Sequence, residues 1–354
     1  MGPTKPARRK GRVGTGLPVP LAWSGSALKT SEVLLVETAP PSTYEPALAS
    51  LSEFFRDRQT RAGVVARRIL GIPQSHDIKL TEQLVQERRR RTRLDGGVGG
   101  WVVATTWSAW ELLQLGCPAD HTGLCRMMGY LLARQDQPGR FGEGCSERRH
   151  KLGLCHHFVS GFFSPATKDV AVAPLAFPSG VVFTREWEAR FGASCFALRT
   201  ALQARQDRRE SIRRHVDSLF HLAERWQAGQ LPGSLDVAFA SLGAVAMAPL
   251  AYRKRTDELF AYLAGQQQAD GRWPNTSMFH AVDTLLLLPT PEARESVNRA
   301  VPAVVEDLKN QTGDESQNED IALIALRALR SLGIRRPTPR PPRVSITSGV
   351  ARNR

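Results

Sequence analysis

Gln267-Gln268-Ala269-Asp270-Gly271-Arg272-Trp273 lies between two apolar stretches, Leu259 to Leu263 before it and Phe279 to Leu288 after it. A glycine that closes one helical pattern shortly before another begins reads as helix, turn, helix. A helical hairpin cannot bury its apolar face alone, so such a unit is expected to recur along the chain. Gln135-Asp136-Gln137-Pro138-Gly139-Arg140-Phe141 repeats the Gln, Gly and aromatic offsets behind Met128 to Leu132. Looser copies surround Gly99, ending at Trp101, and Gly180, Gly233 and Gly313. The six markers Gly99, Gly139, Gly180, Gly233, Gly271 and Gly313 are successively 40, 41, 53, 38 and 42 residues apart. This near-regular period predicts an all-α chain of about six helical hairpins.

The helices on either side of the markers differ in polarity. Before most markers stands an amphipathic helix such as Glu210 to Trp226 or Glu292 to Lys309, with Val297, Ala300, Val301, Val304 and Leu308 at helical spacing. After most markers comes a more uniformly apolar one: Val102 to Leu115, Ala193 to Leu202, Val237 to Ala248, Phe279 to Leu288 and Ile321 to Leu332. One-sided helices outside and apolar helices inside are what an outer ring of helices around an inner barrel requires. Residues 80–334 form this unit. Residues 21–79 carry no marker and read as an N-terminal extension packing on the ring.

Composition sets the remaining limits. The 354 residues carry a formal charge of +14, of which residues 1–12 contribute 5 and residues 335–354 contribute 6, leaving 14 − 11 = +3 for the middle. Segments 1–20 and 335–354, rich in Pro, Gly and basic residues, read as disordered tails, because they cannot bury enough apolar surface to offset the entropy of ordering. No apolar run reaches the roughly 20 residues that cross a bilayer; Val237 to Tyr252 is shorter and contains Pro249. Peripheral membrane association, if any, would run through the basic tails. Pro18 and Pro20 interrupt the apolar stretch a secretory signal would need. Five cysteines without regular spacing read as buried thiols, so the cytoplasm is the expected compartment. No specific nucleic-acid partner is expected. The run Arg88 to Arg93 reads as a complement to the negative end of a helix, and no phosphate-loop or dinucleotide fingerprint occurs.

The Gln-to-Trp turn resembles that of squalene and terpenoid cyclases and of protein prenyltransferase β subunits, which share the α/α toroid. The resemblance covers residues 80–334 and rests chiefly on the segments ending at Trp273 and Phe141. It implies that the glutamine and the aromatic ring tie neighbouring hairpins together. It also implies a central apolar cavity for an isoprenoid-like or other apolar small molecule. Trp107, Phe158, Phe162, Phe239 and Phe279 fall on candidate inner segments and are expected to line it or to fill the core.

The catalytic motifs of that family are incomplete. A protonating cyclase carries Asp-x-Asp-Asp at an inner helix start; the counterpart Gly233-Ser234-Leu235-Asp236 keeps only the last carboxylate. No Asp-Asp pair exists to begin a magnesium-binding Asp-Asp-x-x-Asp segment. Of the prenyltransferase zinc ligands, Asp236 and His280 match, whereas the cysteine position is Ala238. Asp236, His280 and Asp283 are therefore the catalytic candidates. Zinc, the one cofactor the resemblance points to, would need a third ligand, with Cys155 and His157 as candidates beside Asp283. Cys145, His150 and His156 belong to the same dense stretch, whose spacing matches no zinc finger. The enzymatic reading is a prenyltransferase or cyclase; the alternative is a noncatalytic helical-repeat interaction protein.

Overall fold

The segments with apolar residues at helical spacing form helices, as an all-α chain requires. A computed structural model describes residues 41–135, 170–227, 234–310 and 315–333, all within one unit, Thr38–Arg354. The helices among them are α1 (Glu45–Arg56), α2 (Arg61–Leu70), α3 (Asp77–Arg91), α4 (Val102–Gln114), α5 (Thr122–Leu132), α6 (Glu186–Gln203), α7 (Glu210–Gln227), α8 (Leu235–Val245), α9 (Arg253–Ala264), α10 (Met278–Leu285), α11 (Pro291–Lys309) and α12 (Glu315–Ser331). Two short strands, β1 (Leu175–Ala176) and β2 (Val182–Phe183), pair antiparallel ahead of α6. Local chemistry sets several helix ends. Thr60 Oγ1 accepts the Gly63 N–H at the start of α2, and Thr290 Oγ1 accepts the Ala293 N–H at the start of α11, where Pro291 opens the first turn. Among the described residues, no helix is long and apolar enough to cross a membrane.

The even-numbered helices pack on one another in order, α2 on α4, α4 on α6, α6 on α8, α8 on α10, α10 on α12, and α12 again on α2. The last helix thus meets the second, and its Glu319 accepts the Thr60 hydroxyl at 2.6 Å. Odd-numbered helices attach to this circuit: α1 on α2, α3 and α5 on α4, α7 and α9 on α8, and α11 on both α10 and α12. Burial follows the same division. Every residue from Val237 to Val245 in α8 and from Met278 to Leu285 in α10 is buried, whereas α11 buries Ala293, Val297, Ala300, Val301 and Val304 on one side.

The turn ending at Trp273 shows why its residues recur. Gly271 has φ of +84°, and a Cβ there would stand 2.1 Å from the Arg299 carbonyl oxygen, so only glycine lets the turn approach α11. Gln267 then bridges the two elements. Its Nε2 donates to the Gly271 and Ser296 carbonyls, and its Oε1 accepts from Ser296 Oγ and from Arg299. The Trp273 indole N–H donates to the Leu263 carbonyl at 2.9 Å, and the ring meets Phe239 edge-on.

The backbone of this turn occurs three times among the described residues. The Gln268 N–H bonds the Arg272 carbonyl and the Gly271 N–H bonds that of Gln268; Arg93, Gly96 and Gly97 form the same pair of bonds, as do Phe177, Gly180 and Val181. At Gly96, φ is +90° and a Cβ would stand 2.1 Å from the Arg126 carbonyl oxygen, as at Gly271. The first marker is therefore Gly96, not Gly99. Val98 takes the aromatic position, and Trp101 lies half exposed one step before α4. Gly139, Gly233 and Gly313 lie outside the described residues, as do both tails.

The expected boundary at 79/80 falls inside α3. Residues 41–79 supply α1 and α2, whose Leu48, Phe55, Ala62 and Val65 belong to the same core as the later helices. This segment is thus part of the circuit rather than an extension upon it. It escaped the repeat count because no glycine–aromatic turn precedes α2.

Candidate functional site

The β1–β2 hairpin carries the third copy of the turn to α6 and α10. The Glu186 carboxylate, at the start of α6, anchors the approach by accepting the backbone N–H groups of Val172 and Ala173 at 2.9 Å. The hairpin turn then presents Phe177, Pro178 and Ser179 to the interior. His280 on α10 is buried with both ring nitrogens engaged, Nδ1 3.0 Å from Ser179 Oγ and Nε2 3.2 Å from the Asp236 backbone carbonyl. A carbonyl only accepts, so Nε2 carries the proton, and the Ser179 hydroxyl donates to Nδ1. Burial pushes the His280 imidazole down to about 4, which keeps it neutral.

The Asp236 carboxylate turns elsewhere. Its Oδ1 accepts the Ser277 N–H at 3.1 Å, just before α10, while burial, with Glu188 nearby, pushes its acid up to about 6. The side chains of Asp236 and His280 therefore do not form a ligand pair. Among the described residues, no three His, Cys, Asp or Glu side chains are grouped to hold a metal ion. Cys155 and His157, the other zinc candidates, lie outside the described residues with Phe158 and Phe162. Of the described cysteines only Cys195 is buried; Cys117 is partly buried and Cys125 is exposed.

Asp283, one helical step beyond His280, belongs to a buried set of charges that sequence reasoning missed. Arg199 on α6 donates to Asp283 Oδ2 at 2.9 Å, and Arg327 on α12 approaches Oδ1 at 3.7 Å. Burial alone would raise the Asp283 acid, but these two guanidinium groups outweigh it and hold the group below the usual carboxylate range. Arg61 on α2 donates to Asp320 on α12 and to Gln114 on α4, and Arg88 on α3 donates to Glu111 on α4 at 2.6 Å. The apolar inner layer expected from sequence is thus interrupted by ion pairs across the circuit. The available signal was a charge inside an otherwise apolar helix, as Arg199 stands in Ala193 to Leu202 and Arg327 in Ile321 to Leu332; such charges are rarely buried without partners.

Two spaces adjoin this set. A small chamber of about 30 Å3 is bordered by Arg199, His280, Asp283, Thr284, Asp320 and Arg327. A larger recess of about 410 Å3 is bordered by Trp107, Trp110 and Phe177 together with Arg61, Arg88 and Glu111. Trp110, Phe177, Pro178 and Asp320 border both. Trp107 and Phe177 lie 5.6 Å apart between ring centroids, and the Arg61 guanidinium stands 4.7 Å over the Trp110 ring. Of the expected cavity residues, Trp107 borders the recess. Phe239 and Phe279 fill the core instead, Phe239 because its ring is taken up by Trp273. No protein-family model and no curated protein matches this sequence.

The displaced Asp236 acid makes a stability prediction. Its folded value of about 6 lies above the ordinary carboxylate value, so its contribution is most favourable below pH ~4 and is lost as pH rises through 6. Asn at this position keeps an oxygen for the Ser277 N–H and carries no charge. Asp236→Asn should therefore gain about 1–3 kcal/mol over the parent at pH 7 and lose that advantage at pH 4. Urea unfolding of both chains at the two pH values measures this; a difference independent of pH would refute it.

Proposed function

We propose that this chain is an α/α-toroid protein of the architecture seen in terpenoid cyclases and prenyltransferase β subunits, and that it binds a small molecule with an apolar body. The recess carries the reading. About 410 Å3 of space lined by Trp107, Trp110 and Phe177 and by the charged Arg61, Arg88, Glu111, Glu319 and Asp320 has the size of a small-molecule site, with aromatic walls for an apolar body. The closed order of helix contacts supports the toroid, and the missing Asp-x-Asp-Asp and Asp-Asp-x-x-Asp segments favour binding over cyclase chemistry. The small volume between the inner helices at His280 favours the recess over the centre as the ligand's place.

Farnesol, an isoprenoid alcohol, is the first probe. Calorimetric titration should show saturable binding, weakened roughly tenfold by Trp107→Ala, since an aromatic wall contributes on the order of 1–2 kcal/mol. Native mass spectrometry of the purified chain should show an apolar molecule carried through purification. No farnesol binding and no co-purified molecule would leave the second reading, a noncatalytic helical-repeat interaction protein, which the filled centre also favours.

A further inference from the structure

We propose that the small chamber is a carboxylate-binding subsite, so that the ligand is an apolar acid whose body lies in the recess and whose carboxylate reaches Arg327 and Arg199. This names the ligand class of the recess and rests on the recess being a ligand site. Arg88 is engaged by Glu111 at 2.6 Å, Arg199 by Asp283 at 2.9 Å, Arg58 by Glu319 at 3.6 Å, and Arg61 by Asp320. Arg327 has only a shared partner. Its nearest carboxylate, Asp283 at 3.7 Å, is already bonded to Arg199, and Arg327 makes no hydrogen bond among the described residues. Its side chain keeps 26% of its surface accessible, and it borders the chamber.

A second guanidinium, that of Arg199, also borders the chamber. The Nε atom of Arg199 is buried without a hydrogen-bond partner, although its Nη1 serves Asp283. A buried guanidinium N–H without an acceptor is unfavourable, and its planar donor edge matches the two oxygens of a carboxylate. Volume limits the anion. About 30 Å3 holds roughly two water-sized oxygens, enough for a carboxylate and too little for a diphosphate. Asp283 and Asp320 also border the chamber and accept from Arg199 and from Arg61 behind it; with Arg327 that is three guanidinium groups against two carboxylates, 3 − 2 = +1. The shared walls Trp110, Phe177 and Pro178 place the chamber next to the recess, as one molecule with a charged end and an apolar body requires.

Farnesoate and farnesol share a chain and differ at the end group, so they separate the two claims. Calorimetric titration of the full chain should show farnesoate binding roughly tenfold or more tightly than farnesol, as a charged hydrogen-bonded pair confers. Arg327→Gln should remove that preference. Equal affinity of the two probes on the parent chain would overturn the carboxylate subsite while leaving the recess as a site, and this comparison needs no variant. Retention of the farnesoate preference in a folded Arg327→Gln chain would also overturn it. Failure of both probes to bind would remove the recess reading and this inference with it.

Discussion

Trp273→Ala should lower the unfolding free energy by about 3–5 kcal/mol, the usual cost of deleting a large buried aromatic ring. The ring is 4% exposed and lies edge-on against Phe239 from α8, while its N–H closes on the carbonyl of Leu263 in α9. One side chain thus joins two helices and the turn that leads to α10. Trp273→Phe separates the two contributions, because it keeps most of the ring contact and loses the hydrogen bond. Its expected cost is about 1 kcal/mol from the unmade bond, with a further fraction for lost volume. Urea unfolding measured on both variants gives the order Ala far below Phe and Phe slightly below the parent. A Trp273→Ala chain as stable as the parent would mean that the turn ties nothing together.

This turn was legible because each of its residues acts on nearby backbone, so residue type and spacing carry the information directly. Gly271 is required by its φ and by the approach of Arg299, and Gln267 reaches Ser296 only 29 residues on. The copy at Gly96 was misregistered by three residues for a related reason. Four glycines crowd the segment 96–100, and Trp101 offered a nearby aromatic that the fold leaves half exposed. The pairing of the buried charges was illegible because the partners are remote. Arg199 and Asp283 are 84 residues apart, and Arg61 and Asp320 are 259 apart. No local period signals such a pair. Asp236 and His280 were found as residue types at matching positions, but sequence does not show that the helix approach gives His280 the Asp236 carbonyl rather than its carboxylate.

Asp283→Leu should cost about 3–5 kcal/mol, as much as the loss of Trp273, although it removes a charge rather than apolar contact. Breaking a buried pair from one side leaves the other charge without compensation, which is far worse than replacing the whole pair. Here one carboxylate serves two guanidinium groups, Arg199 at 2.9 Å and Arg327 at 3.7 Å. Its removal leaves both cations facing each other across the chamber. Arg199→Met is the control, because Asp283 would retain Arg327 and move toward it; its cost should be smaller by on the order of 1–2 kcal/mol. A double change of Asp283 and Arg199 to apolar residues should cost less than the sum of the single changes, since it removes a pair together. Chemical unfolding at pH 7 decides the order. Additive costs would show that Asp283 and Arg199 stand near each other without stabilising each other. Coupling of the expected size would make Asp283 the group that allows these helices to converge on so many charges.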